Sequence, residues 1–208
     1  VLKDDSFSGN VEATYTQSIV LGSNPQITYA KQPTSSDDGN YALALGTTAS
    51  TQYIYNATVT FNKAVAFNHS DSKGGDLTLF GQKFTVASST DGTSLVLLKT
   101  AEKVSLTSDA PSKEVKLGGK VYTVELVSAS DTSATVKVTN ADGISETKEV
   151  NENASKKING ITIAVTNADE TNLKLSAIVI AGAEKVTLAD GSEVKVGEDS
   201  KIIEGTLV

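Results

Sequence analysis

The sequence predicts an all-β protein with two β-sandwich domains, immunoglobulin-like or related, built from antiparallel strands with essentially no helix. Ser and Thr together number 48 of the 208 residues, and Thr favours strands while Ser favours turns. Short runs of alternating apolar and polar residues are separated by Gly and Asp-Gly turns, which is the pattern of strands and hairpins. No segment has the sustained 3.6-residue periodicity of a helix.

A repeated β-ribbon is centred on Gly118–Asn140. Its Tyr-Thr-Val run is matched by Phe-Thr-Val before it and Ile-Thr-Ile after it. The Thr residues of the three copies are Thr85, Thr123 and Thr162, with spacings of 38 and 39 residues. A Gly precedes each copy, at Gly81, Gly119 and Gly160. Self-similarity at a fixed period indicates one structural unit used three times.

The strands of the central copy predict which faces are buried. Tyr122, Val124 and Leu126 share one face of the first strand, because side chains alternate along a strand. The returning strand, residues 134–138, has its own apolar face, so the pair is half-buried. Ala177–Ala181 is apolar on both faces and is expected to lie between packed layers.

Two further hairpins are predicted from Asp-Gly turns, Asp142-Gly143 and Asp190-Gly191. Asp-Gly tolerates the positive φ angles of a type I′ turn.

A domain boundary is predicted near Pro111, which separates residues 1–110 from residues 111–208. Ten of the eleven aromatic residues fall within residues 1–84, and the exception is Tyr122. We therefore expect an aromatic-bearing N-terminal domain, incomplete if the chain is a fragment, and an aliphatic C-terminal domain. The chain starts without Met and stops at Val208, as expected of a piece of a longer protein.

Composition excludes several classes of function. Without Cys there is no disulfide, thiolate metal site or cysteine nucleophile. All 18 basic residues are Lys, the net charge is −7, and nucleic-acid binding would need basic stripes or Arg forks. No apolar run reaches the roughly 18 residues of a membrane span. The natural small partners of this acidic surface are cations.

Several motifs together resemble archaeal S-layer proteins of the methanococcal type and the related proteins of small-genome archaea. The likeness covers about residues 75–208 and includes LFGQKFTV, KLGGKVYTVELVS, KKINGITIAV and IVIAGAEKVTLADGSEVKVG. The family's Gly-Lys-x-Tyr-Thr-Val-x-Leu strand matches Gly119–Leu126, and its late Gly-Ala-x-Lys-Val hairpin matches Gly182–Gly191. The resemblance implies secreted β-sandwich modules in a two-dimensional lattice at the cell surface, often glycosylated and Ca²⁺-dependent. It implies no catalytic residues.

No catalytic site is predicted, so the chain is expected not to be an enzyme. His69 is the single histidine and lies in a loop-like stretch, without the Ser and Asp context of a triad. Adjacent acids such as Asp169-Glu170 are expected by chance among 25 acids. Glycosidases also need a substrate cleft around their carboxylates.

Calcium is the ion that the acidic loops would suit, because it takes hard oxygen ligands. The candidate ligands fall in two loops and are Asp37, Asp38, Asn40, Asp71 and Asp76. Neither loop has EF-hand spacing, and a solvated acidic turn is the simpler interpretation of each.

Three sequons offer N-glycosylation sites if the protein is exported. They begin at Asn153, Asn68 and Asn56, in the order in which modification is expected. About three sequons are expected by chance in this composition.

The leading hypothesis is a structural component of an extracellular cell-surface layer that self-associates through sheet edges. Candidate edges are Val1–Lys3 and Ile202–Val208. One alternative is a carbohydrate-binding or adhesin module that uses Tyr41, Tyr53 and Tyr55. Another is a subunit of an extracellular filament or viral surface.

Overall fold

A computed structural model describes residues 13–22, 26–30, 40–44 and 53–208, with only the main chain described for 26–30 and 40–44. Its elements are all β-strands, every named pair of strands is antiparallel, and the described residues contain no helix. The prediction of an all-β fold is therefore confirmed. By internal contacts the described chain forms two units, Thr14–Asn62 and a larger one that contains Lys63–Val208 together with Ala13.

The smaller unit has four described strands in two two-stranded sheets, β1 with β4 and β2 with β3. Their bounds are β1 Tyr15–Leu21, β2 Gln26–Ala30, β3 Asn40–Ala44 and β4 Tyr55–Phe61.

The larger unit has fourteen described strands in three sheets. Their bounds are β5 Asp76–Leu79, β6 Gln82–Val86, β7 Ser94–Lys99, β8 Glu102–Thr107, β9 Ser112–Leu117, β10 Lys120–Ala129, β11 Ser133–Asn140, β12 Ser145–Asn151, β13 Ala154–Ile158, β14 Ile161–Thr171, β15 Lys174–Ala181, β16 Glu184–Ala189, β17 Lys195–Val196 and β18 Lys201–Ile202. The sheet orders are β12-β11-β10-β9, β13-β14-β15-β8 and β18-β17-β16-β7-β6-β5.

The three copies seen in the sequence are three three-stranded meanders, β5–β7, β9–β11 and β13–β15. Each predicted ribbon is the second and third strand of its meander. The first strand joins through a two-residue turn whose residues both have positive φ, as a type I′ turn requires. These turns are Phe80-Gly81, Gly118-Gly119 and Asn159-Gly160. The glycine before each copy is thus the second residue of its turn.

The second and third copies also share an irregularity in their strands. In the second copy the register of β10 against β11 shifts between Leu126 and Ser128, and in the third the register of β14 shifts between Val165 and Asn167. Both shifts begin three residues after the repeated Thr. An extra residue in one strand is a β-bulge, which bends and twists the strand locally.

A fourth strand follows each meander, and the first and third copies exchange theirs. Strand β12 stays beside β11 of its own copy. In contrast, β8 leaves the first copy to pair with β15, and β16 leaves the third copy to pair with β7. In each sheet a fourth strand therefore pairs with the last strand of the meander. In the middle and third sheets this fourth strand comes from another copy.

The sheets stack in three layers around two aliphatic cores. One core holds Val124 and Val136 of the first sheet together with Ile163 and Val179 of the middle sheet. The other core packs Ile180, on the opposite face of the middle sheet, with residues of the third sheet. The expectation that the Ala177–Ala181 strand lies between packed layers is confirmed, because neighbouring residues of this strand face different cores.

The Asp-Gly turns differ from expectation. The hairpins β11–β12 and β16–β17 both form, but only Gly143 and Gly191 have positive φ, at 78° and 67°. A type I′ turn needs positive φ at both central residues, so neither is one. The connections run over residues 141–144 and 190–194, longer than two residues, so the Asp can keep an ordinary backbone conformation.

The two-domain division at Pro111 stays a prediction, and strand pairing crosses it. Strand β8 lies before Pro111, whereas its partner β15 lies after it. The core that contains Val124 also contains Val104 and Leu106 of β8.

An ion pair holds the segment after β17 against β13. Lys157 Nζ lies 2.8 Å from Asp199 Oδ2, and the hydroxyl of Ser155 donates to the carboxylate of Glu198. The hydrogen bond and the charge of Lys157 hold the pKa of Asp199 below its ordinary value of 3.8. The contact thus links an edge of the middle sheet to the third sheet.

We expect substitution of Ile180 by Ala to lower the free energy of unfolding by about 2–5 kcal/mol, because it leaves a cavity between two layers. Ile180 is 1% exposed. The control is Ile202→Ala, on a strand at 46% exposure, where the change should stay within about 0.5 kcal/mol. Urea unfolding measures both. Equal losses for the two variants would contradict the placement of Ile180.

We expect the carboxyl of Asp199 to titrate below pH 3.8 in the folded protein. A lowered folded-state pKa stabilises the fold above the unfolded-state pKa, and this contribution disappears as the pH falls through the folded-state value. Carbon-detected NMR titration gives the midpoint. In Lys157→Met the midpoint should return toward the ordinary value, and an unchanged midpoint would show that Lys157 is not the cause.

Candidate association surface

The single histidine lies on the surface. His69 Nδ1 accepts the main-chain N–H of Asp71 at 3.1 Å, and its side chain is 44% exposed. Because Nδ1 is an acceptor in a local turn, the ring caps the loop backbone. This is the structural role that the sequence context favours.

The predicted calcium ligands are only partly described. Asp76 is bound by Lys83 Nζ at 2.7 Å and by the hydroxyl of Thr85 at 3.0 Å. Asp71 accepts a hydrogen bond from Ser70. No group of three His, Cys, Asp or Glu residues suited to a metal ion occurs in the part of the chain that the structure describes. Of the other loop, Asp37 and Asp38 lie outside the described residues, and the side chain of Asn40 is not described, so calcium stays a prediction.

The three sequons differ in accessibility. Asn68 lies in an exposed turn and Asn56 is exposed on β4. Asn153 has positive φ, its Oδ1 is buried without a hydrogen-bond partner, and its carboxamide lies against Gly74, where a Cβ would come within 2.7 Å of Oδ1. A glycan on Asn153 would have to displace this packing. The geometry thus makes Asn68 and Asn56 more accessible than Asn153, which the expected order placed first, and the order of modification stays a prediction.

A small cleft opens between the middle and third sheets. Its volume is about 180 Å³ and its lining includes Lys83, Thr100, Lys103 and Asn167. Ligand pockets for small molecules usually measure roughly 300–1,000 Å³. Lys83 is already paired with Asp76, so the cleft offers little to a substrate.

The C-terminal candidate edge is folded back onto its own unit. Strand β18 is the outermost described strand of its sheet. Beyond it, the N–H of Ile203 donates to Val194 and the N–H of Val208 to Ser192. The other candidate edge, Val1–Lys3, lies outside the described residues.

The β1–β4 ribbon is the surface that stands out. Its register places Ile19 opposite Ala57 and Leu21 opposite Tyr55. Directly opposed residues share a face of the sheet, so one face is apolar apart from one Gln. The opposite face is mostly Thr and Ser. At one end the apolar face is closed by Tyr15 and Phe61, whose ring centroids are 5.2 Å apart.

The apolar face of the ribbon is open to solvent. Ile19 is 57%, Leu21 75% and Tyr55 58% exposed. A two-stranded ribbon is marginal in water unless a further surface covers its apolar face. Contiguous exposed apolar residues of this kind mark sites of association.

Main-chain bonds at both ends fix which groups of β4 point outward. The N–H of Gly22 donates to Ile54 and the N–H of Asn62 donates to Thr14, both at 2.9 Å. Bonded and non-bonded pairs alternate along an antiparallel ladder. The even-numbered residues of β4 therefore face β1, while the N–H and C=O groups of Tyr55, Ala57 and Val59 point outward. These outward groups have no partner among the residues that the structure describes.

Charge distinguishes the ribbon from charged edge strands of the larger unit, whereas β2 and β3 of the smaller unit also have no Asp, Glu or Lys. The fourteen residues of β1 and β4 include no Asp, Glu or Lys. In the larger unit β9 reads SKEVKL, β12 reads SETKEVN and β13 reads ASKKI. Charged residues on an edge strand oppose pairing with another chain, so those edges are protected in a way that β4 is not.

Sequence reasoning missed the ribbon as a surface. It placed the candidate edges at the chain ends, Val1–Lys3 and Ile202–Val208. The available signals were the absence of charge in Tyr15–Leu21 and Tyr55–Phe61 and the apolar alternation in both. The sequence did not show that these two segments pair with each other, because more than thirty residues separate them.

Comparisons of the chain with protein-family models, curated proteins and solved structures found no match.

Proposed function

We propose that this chain is a structural module of an extracellular surface layer that associates with copies of itself through β-strand contacts. The observation that carries the proposal is the β1–β4 ribbon, with its uncharged strands, exposed apolar face and outward main-chain groups on β4. The stacked sheets, as immunoglobulin-like sandwich modules, would supply a rigid body. The S-layer resemblance of residues 75–208 supports the surface location.

The net charge supports a role for the ribbon in self-contact. The chain carries −7, so identical copies repel one another over most of their surface. Two copies meet with least repulsion where neither carries charge. A lattice or filament also needs contacts that propagate instead of closing.

The structure favours one other function less strongly. Tyr55 is 58% exposed, as a sugar-stacking platform would be, whereas Tyr53 is half-buried. Tyr41 is in β3, and its side chain is not described. Among the described side chains of these three tyrosines, the ring more available to a carbohydrate is that of Tyr55.

We expect concentration-dependent self-association, measured by sedimentation velocity. Ile19→Lys places a charge on the apolar face and should weaken association by about tenfold or more. Ile144→Lys is the matched control, because Ile144 is 62% exposed and lies outside the ribbon. Equal weakening by both would remove the ribbon from the contact. A monomer at every concentration would sink the proposal.

Electron microscopy with Ca²⁺ and with chelator separates the forms of assembly. Ordered sheets support a surface layer, and fibres support the filament alternative. Sheets that dissolve in chelator support a calcium requirement.

For the carbohydrate alternative, we expect binding on a broad glycan array to disappear in Tyr55→Ala. An array on which the unmodified chain binds no glycan would eliminate this alternative.

A further inference from the structure

The geometry of β4 indicates which strand of a second copy takes part in the proposed self-association, and in which register. This inference rests on the proposed function. We propose that β4 pairs with β4 of a second copy, antiparallel, about a two-fold axis at Thr58. The two ribbons then form one continuous four-stranded sheet, with the order β1-β4-β4-β1.

The outward main-chain groups fit this register. With Thr58 facing Thr58 of the second copy, Ala57 faces Val59 of the second copy, and the reverse. Both residues point their N–H and C=O groups outward, so each pair can exchange two hydrogen bonds. Thr58 then forms a non-hydrogen-bonded pair on the axis. A register shifted by one residue would bring an outward group against an inward one and lose these bonds.

The side chains match in the same register. Ala57 meets Val59, and Thr58 meets Thr58, so apolar residues oppose apolar residues and hydroxyls oppose hydroxyls. Tyr55 lies opposite Phe61 of the second copy. Aromatic pairs and Thr–Thr pairs both stabilise neighbouring strands. The faces also agree, because antiparallel pairing about one residue keeps odd-numbered side chains on one side.

Strand β1 is less suited to pairing with itself about a two-fold axis. Pairing about Ser18 would oppose Gln17 to Ile19 and Thr16 to Val20, so polar residues would face apolar ones. The mismatch favours β4. A charged partner strand is also disfavoured, since the ribbon has no counter-charge to offer.

The pairing joins two exposed apolar faces into one. Ile19, Leu21 and Tyr55 of both copies would lie on the same side of the new sheet. A four-stranded sheet with a hydrophobic face is far more stable than an isolated two-stranded ribbon. The contact thus turns an isolated two-stranded ribbon into a four-stranded sheet, whose joined apolar face stays open on one side.

Disulfide trapping tests the register, because the chain has no Cys and each introduced thiol is unique. Residues in a non-hydrogen-bonded pair have Cα atoms about 4.5 Å apart, within the range that a disulfide spans. Thr58→Cys should therefore give a cross-linked dimer under mild oxidation of the full chain. Non-reducing gel electrophoresis measures it.

Thr60→Cys is the matched control on the same face of the same strand. Its two copies would be displaced by four residues, or roughly 13 Å, which is beyond disulfide reach. We expect roughly tenfold less cross-linked dimer than with Thr58→Cys. The double variant Asn56→Cys with Thr60→Cys should restore it, because residues 56 and 60 face each other in this register.

The outcomes are distinct. Comparable cross-linking of Thr58→Cys and Thr60→Cys, or cross-linking of Ser18→Cys in place of Thr58→Cys, overturns the β4 register. Association without a Thr58 cross-link overturns the register and leaves the proposed function standing. A monomer under all conditions overturns both.

A second pair of variants uses the main chain. Ala57→Pro removes an outward N–H and leaves the inward ladder to β1 intact, which edge strands tolerate. Ala57→Val keeps that N–H. We expect Ala57→Pro to abolish association and Ala57→Val to preserve it, with circular dichroism showing both folded. Association of a folded Ala57→Pro chain at the strength of the unmodified chain would overturn the pairing.

Discussion

The exchange of fourth strands between the first and third copies is the constraint on which the larger unit depends. Strand β8 completes the middle sheet, and β16 extends the third sheet from β7. Because each sheet borrows a strand, neither copy can complete its sheet alone. The middle sheet is then covered on both faces, so Val179 and Ile180 enter different cores although they are neighbours in the chain.

The two units differ in how they treat sheet edges. In the larger unit, edge strands carry Lys and Glu, and some of these charges are paired locally, as Lys148 is with Glu146 at 2.9 Å. Such strands are soluble and poor partners for another chain. The β1–β4 ribbon has the opposite chemistry. The larger unit thus has charged edge strands that oppose pairing with another chain, whereas the ribbon has no such charges.

Local signals were enough to predict the three ribbons and the apolar faces of the central one. The alternation in Tyr122–Leu126 and the Gly before each copy are signals of local structure. They indicate strands and turns between segments that are close in the sequence, and the structure contains these hairpins. The strand exchange was not predictable, because no feature in the sequence of β8 or β16 indicates which distant strand it pairs with. The β1–β4 ribbon was not predictable for the same reason, because its two strands are far apart in the sequence and neither indicates the other as its partner. The packing of Asn153 was not predictable either, because its polar surroundings suggested a loop, whereas its packing partner Gly74 is remote in sequence.

The exchanged strands also set the order in which the larger unit can fold. Each meander has local connections and can form early, as hairpins do within microseconds. The pairing of β7 with β16 must wait, since Lys99 and Glu184 are 85 residues apart in the chain and closing so long a loop is slow. During synthesis, β7 therefore emerges well before its partner. Until β16 arrives, one side of β7 stays open, and this interval is when a neighbouring nascent chain could insert its own β16 and produce a domain-swapped dimer.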